Sequence, residues 1–253
     1  MMKNTHEEKI EKQFGDRAAA YLQSEVHASG DDLQRLTRWL ADDRAASLLD
    51  LGCGAGHASF VAAAQVAQVT AYDLSAKMLT VVDAAAAERG LHNLTTRQGV
   101  AEQLPFADHS FEVVISRYSA HHWRDVGMAL REVRRVLKPG GKFILMDIAS
   151  PGYPVLDIWL QTLEMLRDPS HVRNYSQGEW LRLINECGFN ARELVAGKLT
   201  LAFAPWIARM QTSPTLASAI RELQGHAADE VKTYFAFADD GSFCSDTLMF
   251  VAC

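Results

Sequence analysis

The sequence predicts a doubly wound α/β fold, a mostly parallel seven-stranded sheet with helices on both faces and a helical lid. Three observations carry this. From residue 47 onward short apolar runs alternate with amphipathic stretches, the βαβα order that builds a parallel sheet. Runs such as 111–116 and 143–148 are nearly continuous in apolar residues, as strands covered on both faces are. A glycine-rich turn at 52–56 joins the first run directly to a helix.

Taken in order, residues 5–40 read as one or two helices. Phe14, Ala18, Tyr21 and Leu22 share one face, and Asp31 and Asp32 open the second helix. Strands follow at 47–51, 69–72, 94–99, 111–116 and 143–148, with helices at 57–65, 75–89 and 126–137. Gly90 stops the second of these helices, and Lys138-Pro-Gly-Gly141 the third. After Pro151-Gly-Tyr-Pro154 the pattern changes. A Leu-, Met- and Trp-rich helix at 155–167 is too apolar to be fully exposed and suits a lid. Another helix spans 177–187, strands are expected near 191–201 and 245–252, and helices fall between 204 and 226. One domain results: a helical cap (1–45), a core (46–150), and a lid with the end of the sheet (151–253).

Composition narrows the partners. The chain has 253 residues, 48% of them hydrophobic and 22% charged, which is globular composition. A net charge of −6 with no basic block argues against a polyanionic partner, and Arg131, Arg134 and Arg135 sit at the spacing of a solvated helix face. No apolar run approaches the ~20 residues of a membrane span, and residues 1–16 lack the apolar core of a signal peptide, so a cytoplasmic protein is expected. Cys53, Cys187, Cys244 and Cys253 form no metal-ligand pattern and read as reduced thiols.

The sharpest motif is Leu48-Leu-Asp-Leu-Gly-Cys-Gly-Ala-Gly56. Gly52, Gly54 and Gly56 suit a tight βα turn that lets a ligand approach the backbone, as in Rossmann-like folds. Two residues select the ligand. A dinucleotide loop needs Gly or Ala where this chain has His57, and Asp50 would repel a pyrophosphate. A carboxylate there favours a cofactor with an ammonium and a sulfonium, S-adenosylmethionine (SAM), over NAD. Asp73, at the end of the next strand, suits the ribose hydroxyls or the start of the following helix. Leu74 and Met78 suit the adenine face or the core. His121 and His122 lie just past the fourth strand, at the carboxyl edge where open α/β sheets bind ligands, and either imidazole suits a base or a positioning group.

With these motifs the chain resembles the class I SAM-dependent methyltransferases, specifically the group of ubiquinone/menaquinone and biotin-pathway methyltransferases. The resemblance covers most of residues 14–148. It rests on 48–56, on Ala71-Tyr-Asp-Leu-Ser75, Ala101-Glu-Gln-Leu-Pro-Phe106 and 111–123, and on Val136-Leu-Lys-Pro-Gly-Gly141. Residues 13–24 resemble an N-terminal helix that closes over the cofactor in this group. The resemblance implies that Ala101 and Glu102 face the adenine, with Val100 standing where the family often has Asp. It implies that Ser116 offers its carbonyl to the methionine ammonium, that Arg117 and Tyr21 lie near the methionine carboxylate, and that His122 is the better candidate of the two histidines. It further implies transfer of a methyl group from SAM to an oxygen or carbon of a small molecule, leaving S-adenosylhomocysteine, with no metal. Tyr153, Trp159, Met165, Tyr175, Trp206 and Met210 suit either an apolar pocket or plain core packing, and their helical spacing favours the core for any one of them. The alternative from another class is a non-catalytic SAM- or nucleoside-binding module or partner subunit, which an occluded acceptor pocket would favour. An NAD-dependent reductase is disfavoured by Asp50 and His57.

Overall fold

The computed structural model describes residues 5–15 and 30–253. Helix α1 (His6–Gly15) and helix α2 (Asp31–Trp39) precede the sheet, and α2 turns Leu33 and Leu36 inward at helical spacing. The core then alternates strictly. Strand β1 (Ser47–Leu51) leads to α3 (His57–Ala63), β2 (Gln68–Asp73) to α4 (Ala76–Glu88), and β3 (Leu94–Gln98) to β4 (Phe111–Arg117). A 3-10 turn (Ala120–His122), α5 (Val126–Val136) and β5 (Leu137–Ala149) complete this half. Beyond lie α6 (Pro154–Arg167), α7 (Gln177–Glu186), β6 (Ala191–Leu201), α8 (Phe203–Met210), α9 (Pro214–His226), α10 (Asp229–Phe235) and β7 (Phe243–Ala252).

The sheet order is β3-β2-β1-β4-β5-β7-β6. The first five strands are parallel, and β7 runs antiparallel between β5 and β6. Strand order reverses between β1 and β4, which places the crevice at the carboxyl ends of these two strands. One face packs Ala129, Leu130 and Val133 of α5 with Trp180 and Ile184 of α7 over the sheet. The other packs α2, α3 and α4 through Leu36, Ala62 and Val82. A third apolar cluster joins Leu160 and Leu163 of α6 to Trp206, Ile220, Val231 and Phe235, so α6 and α8–α10 form a helical layer beyond the strand ends.

Two elements differ from expectation. Lys138–Gly141 does not break the chain before β5; the strand runs on from Leu137, absorbing the glycines in a register shift between Phe111 and Val113 of β4. Helix α10 was not expected: its seven residues are too few for a periodic signal, and unlike α3, of the same length, it follows no glycine turn that announces a helix. Among the described residues no helix is long and apolar enough to cross a membrane, and the four cysteines are free thiols.

Candidate active site

The glycine turn opens a cleft at the carboxyl ends of β1, β2 and β4. Gly52 and Gly54 both adopt left-handed backbone, at φ 73° and 51°, which glycine takes at little cost. Their surroundings differ. A Cβ on Gly52 would lie 1.8 Å from Ser119 Oγ, whereas one on Gly54 would meet no atom within 4 Å. Gly52 therefore serves packing, and Gly54 leaves open the side from which a ligand approaches. Gly56 caps α3 against Phe60 and stands outside the cleft wall, a correction to its expected contact role.

Asp50 and Asp73 supply the charge. Asp50 is fully buried and its Oδ2 accepts a 2.5 Å hydrogen bond from Ser59 Oγ, but Oδ1 has no partner among the described residues. Burial raises its carboxyl to about 7, against the hydrogen bond from Ser59 and with a smaller push from Asp73. Asp73 accepts from the Gly54 amide through Oδ2 and from the Ser75 amide through Oδ1, each at 2.8 Å. The hydroxyl of Ser75 caps α4, so Asp73 is left facing the cleft. An orphaned buried carboxylate oxygen on Asp50, in the same cleft as a glycine whose Cβ would meet no atom, fits a ligand with an ammonium or sulfonium head.

The remaining expected residues divide. Leu74, Met78, Ala101, Glu102 and Arg117 line the cleft. Glu102 also accepts from the Asp125 amide at 3.0 Å through Oε1, and Arg117 donates to Asp32 at 2.6 Å through Nε. The Ser116 side chain is fully buried in β4, where its hydroxyl donates to the Leu51 carbonyl. Tyr21 lies outside the described residues. Helix α1 crosses the opening with His6, Glu7, Ile10 and Phe14 in the wall.

A second cavity adjoins the first, sharing Phe14, Tyr118 and His122. Tyr118 adopts φ 51°, a conformation β-carbon sterics disfavour, and so stands between the two spaces. His121 Nδ1 lies 2.7 Å from Asp147 Oδ1 at the end of β5, while Nε2 has no partner among the described residues and the ring lines the second cavity. Burial alone would lower the His121 pKa, but the charge and hydrogen bond of Asp147 outweigh it and the net direction is upward. His122 is the reverse. Burial and the neighbouring His121 charge hold it down at about 4, and its Nδ1 lies 3.1 Å from the Ser170 carbonyl oxygen. A neutral His122 that donates to that carbonyl leaves Nε2 bare, 3.9 Å from Asp168.

Sequence reasoning missed Asp147, Asp168, Asn174 and Tyr118. Asp147 had a signal, a lone carboxylate inside the apolar run 143–149. Of the six candidate pocket aromatics and methionines only Trp206 and Met210 line the second cavity; Tyr153 and Met165 are exposed, at 70% and 53%.

The fold order, the glycine cleft and the acidic strand ends define a class of nucleoside-cofactor enzyme. The comparisons specify it. A model described as a methyltransferase domain matches residues 49–145. The chain is 60% identical over 198 residues to YafE of Escherichia coli, covering 78% of this chain and 96% of that protein. It is 36% identical over 225 residues to the uncharacterised methyltransferase YcgJ of Bacillus subtilis, covering 89% of each. The crystal structure of YcgJ superposes with a TM-score of 0.84 over 88% of this chain and 97% of that one, at 35% identity. A Bacillus halodurans structure gives 0.85 at 31% identity, covering 88% and 98%. The chain belongs to the class I SAM-dependent methyltransferases.

Proposed function

We propose that the protein transfers a methyl group from SAM to a hydroxyl oxygen of a small molecule held in the second cavity. The observation that carries this is the junction of the two cavities at Phe14, Tyr118 and His122, with His121, held by Asp147 behind it, lining the second. In the first cavity Asp73 would hold the ribose hydroxyls, Leu74, Met78 and Ala101 the adenine, and Asp50 with the Gly54 backbone the methionine end. When bound, SAM supplies an electrophilic methyl on a sulfonium.

The chain's own part is alignment and proton removal. Asp147 fixes the His121 tautomer with Nδ1 protonated, so the bare Nε2 accepts the acceptor's hydroxyl proton as the oxygen lone pair forms the new bond to the methyl carbon. With SAM bound, the methyl would leave its sulfur as the oxygen attacks, giving S-adenosylhomocysteine, and the shared wall of Tyr118 and His122 would align acceptor and cofactor. His122, held neutral by burial, orients the hydroxyl without competing as a base at neutral pH.

Calorimetric titration with SAM and S-adenosylhomocysteine tests the cofactor half, comparing wild type with Asp73→Ala. Micromolar binding lost at least ~30-fold in the variant supports the reading, since about 2 kcal/mol attaches to such charge-assisted contacts. No binding by folded wild-type protein would refute it.

A further inference from the structure

The wall of the second cavity carries information about the acceptor itself, on the reading that this cavity holds it. One side is apolar, with Ile148, Leu201 and Met210 beside the Trp206 ring. The other side is ionic but internally matched. Arg167 Nη1 lies 3.1 Å from Glu164 Oε2, and Arg167 Nε donates to the Trp206 carbonyl. Asp168 Oδ1 accepts from both the amide and the hydroxyl of Ser170, at 2.8 and 2.6 Å. Asp147 holds His121, and Arg209 is also engaged. Charges already hydrogen-bonded within a buried wall offer no ready partner to an anionic ligand, which would lose its own hydration unrepaid.

Asn174 is different. It is 2% exposed and lines the same cavity. Its backbone is fixed to α6 on both sides: the amide donates to Gln161 Oε1 at 3.1 Å, and the carbonyl accepts from Gln161 Nε2 at 2.8 Å. Yet its side-chain Nδ2 has no acceptor among the described residues. Buried amide donors are rarely left so, and one at a ligand cavity marks a place for a ligand oxygen.

We propose that the acceptor is an uncharged hydroxy-carbonyl compound: the hydroxyl sits on His121 and receives the methyl group, and a carbonyl oxygen of the same molecule accepts from Asn174 Nδ2. Asn174 is thus a specificity-determining residue that rejects acceptors lacking the second oxygen.

The test uses the full chain saturated with S-adenosylhomocysteine, titrated with salicylamide, phenol, benzamide and salicylate as probes. Salicylamide is expected to bind at least tenfold more tightly than each of the other three. Asn174→Leu is expected to bring salicylamide down to the level of phenol. Asn174→Asp, which retains the shape and turns the donor into an acceptor, is expected to reverse the order between salicylamide and catechol, a fifth probe that wild type is expected to bind at least tenfold more weakly than salicylamide. Equal binding of salicylamide and phenol, tighter binding of salicylate, binding of no probe, or no change in either variant overturns the proposal. S-adenosylhomocysteine binding in the same samples separates the failures. Its absence sinks the cofactor reading, whereas its presence with unselective probes sinks only the hydroxy-carbonyl assignment.

Discussion

Asp50 is fully buried, raised to about 7 by burial, and has one oxygen unsatisfied within the chain. A cationic ligand selects the ionised form, and that form dwindles as the pH falls below about 7. SAM affinity is therefore expected to weaken by up to about tenfold per pH unit below that point, with proton release on binding. Calorimetry across the range in buffers of differing ionisation enthalpy measures both, and Asp50→Asn should flatten the dependence. The two cleft glycines separate stability from binding. Gly52→Ala forces a methyl into Ser119 at a positive φ and should cost roughly 3 kcal/mol in denaturant unfolding. Gly54→Ala meets no atom, so its cost should stay near the ~1 kcal/mol of left-handed strain while cofactor affinity falls. The glycine turn and its carboxylates were legible because a tight turn ending in a carboxylate-lined cleft constrains consecutive residue types; that Gly52 packs on Ser119 was not, because Ser119 is distant in sequence. At Ser116 and Gly56 the sequence gives a position along a strand or turn, not which side of it faces the cleft.

Elements hold the two histidines in place. The segment between α6 and α7 runs across the 3-10 turn: the Val172 amide donates to the His121 carbonyl at 2.9 Å, and the Ser170 carbonyl faces His122 Nδ1. Its far end is pinned by a capping box in which Ser176 and Glu179 satisfy each other's backbone amides. Ser176→Ala should lose about 1 kcal/mol of stability in urea titrations. Asp147, from β5, raises the His121 pKa, so catalysis by the unprotonated imidazole should climb with pH through a limb lying above the ordinary histidine range. Asp147→Asn should move that limb to lower pH and cut the plateau rate, roughly 100-fold or more. The sign for stability is opposite. The His121–Asp147 contribution is complete below the unfolded histidine value and lost as pH rises through the raised folded one. The strands and most helices were legible from their periods, whereas α10 was too short to show one. The exposed Tyr153, just before α6, and Met165, within it, show that an apolar residue of this segment need not face a cavity.

Across the whole molecule the second cavity draws on α1, the end of β4, α6, β6 and α8. Phe14 and Met210 meet there from opposite ends of the sequence, and no local pattern announces such a meeting. The cofactor cleft is built from contiguous βα turns and was readable for that reason. Occupying it should act on the entire fold. At a concentration of S-adenosylhomocysteine 100 times its Kd, stabilisation of about 2.7 kcal/mol should lift Tm by about 5–10 °C, as scanning calorimetry would show. The placement of β7 between β5 and β6 has a consequence for synthesis on the ribosome. β1 to β5, with the glycine cleft, emerge first and can pair in order, while β6 emerges without a neighbour and must wait for β7 to be threaded between. Until then β5 is a bare edge whose Phe143–Met146 stretch is open to any passing strand, so the nascent chain's hazard lies late in translation, after its cofactor half has taken shape.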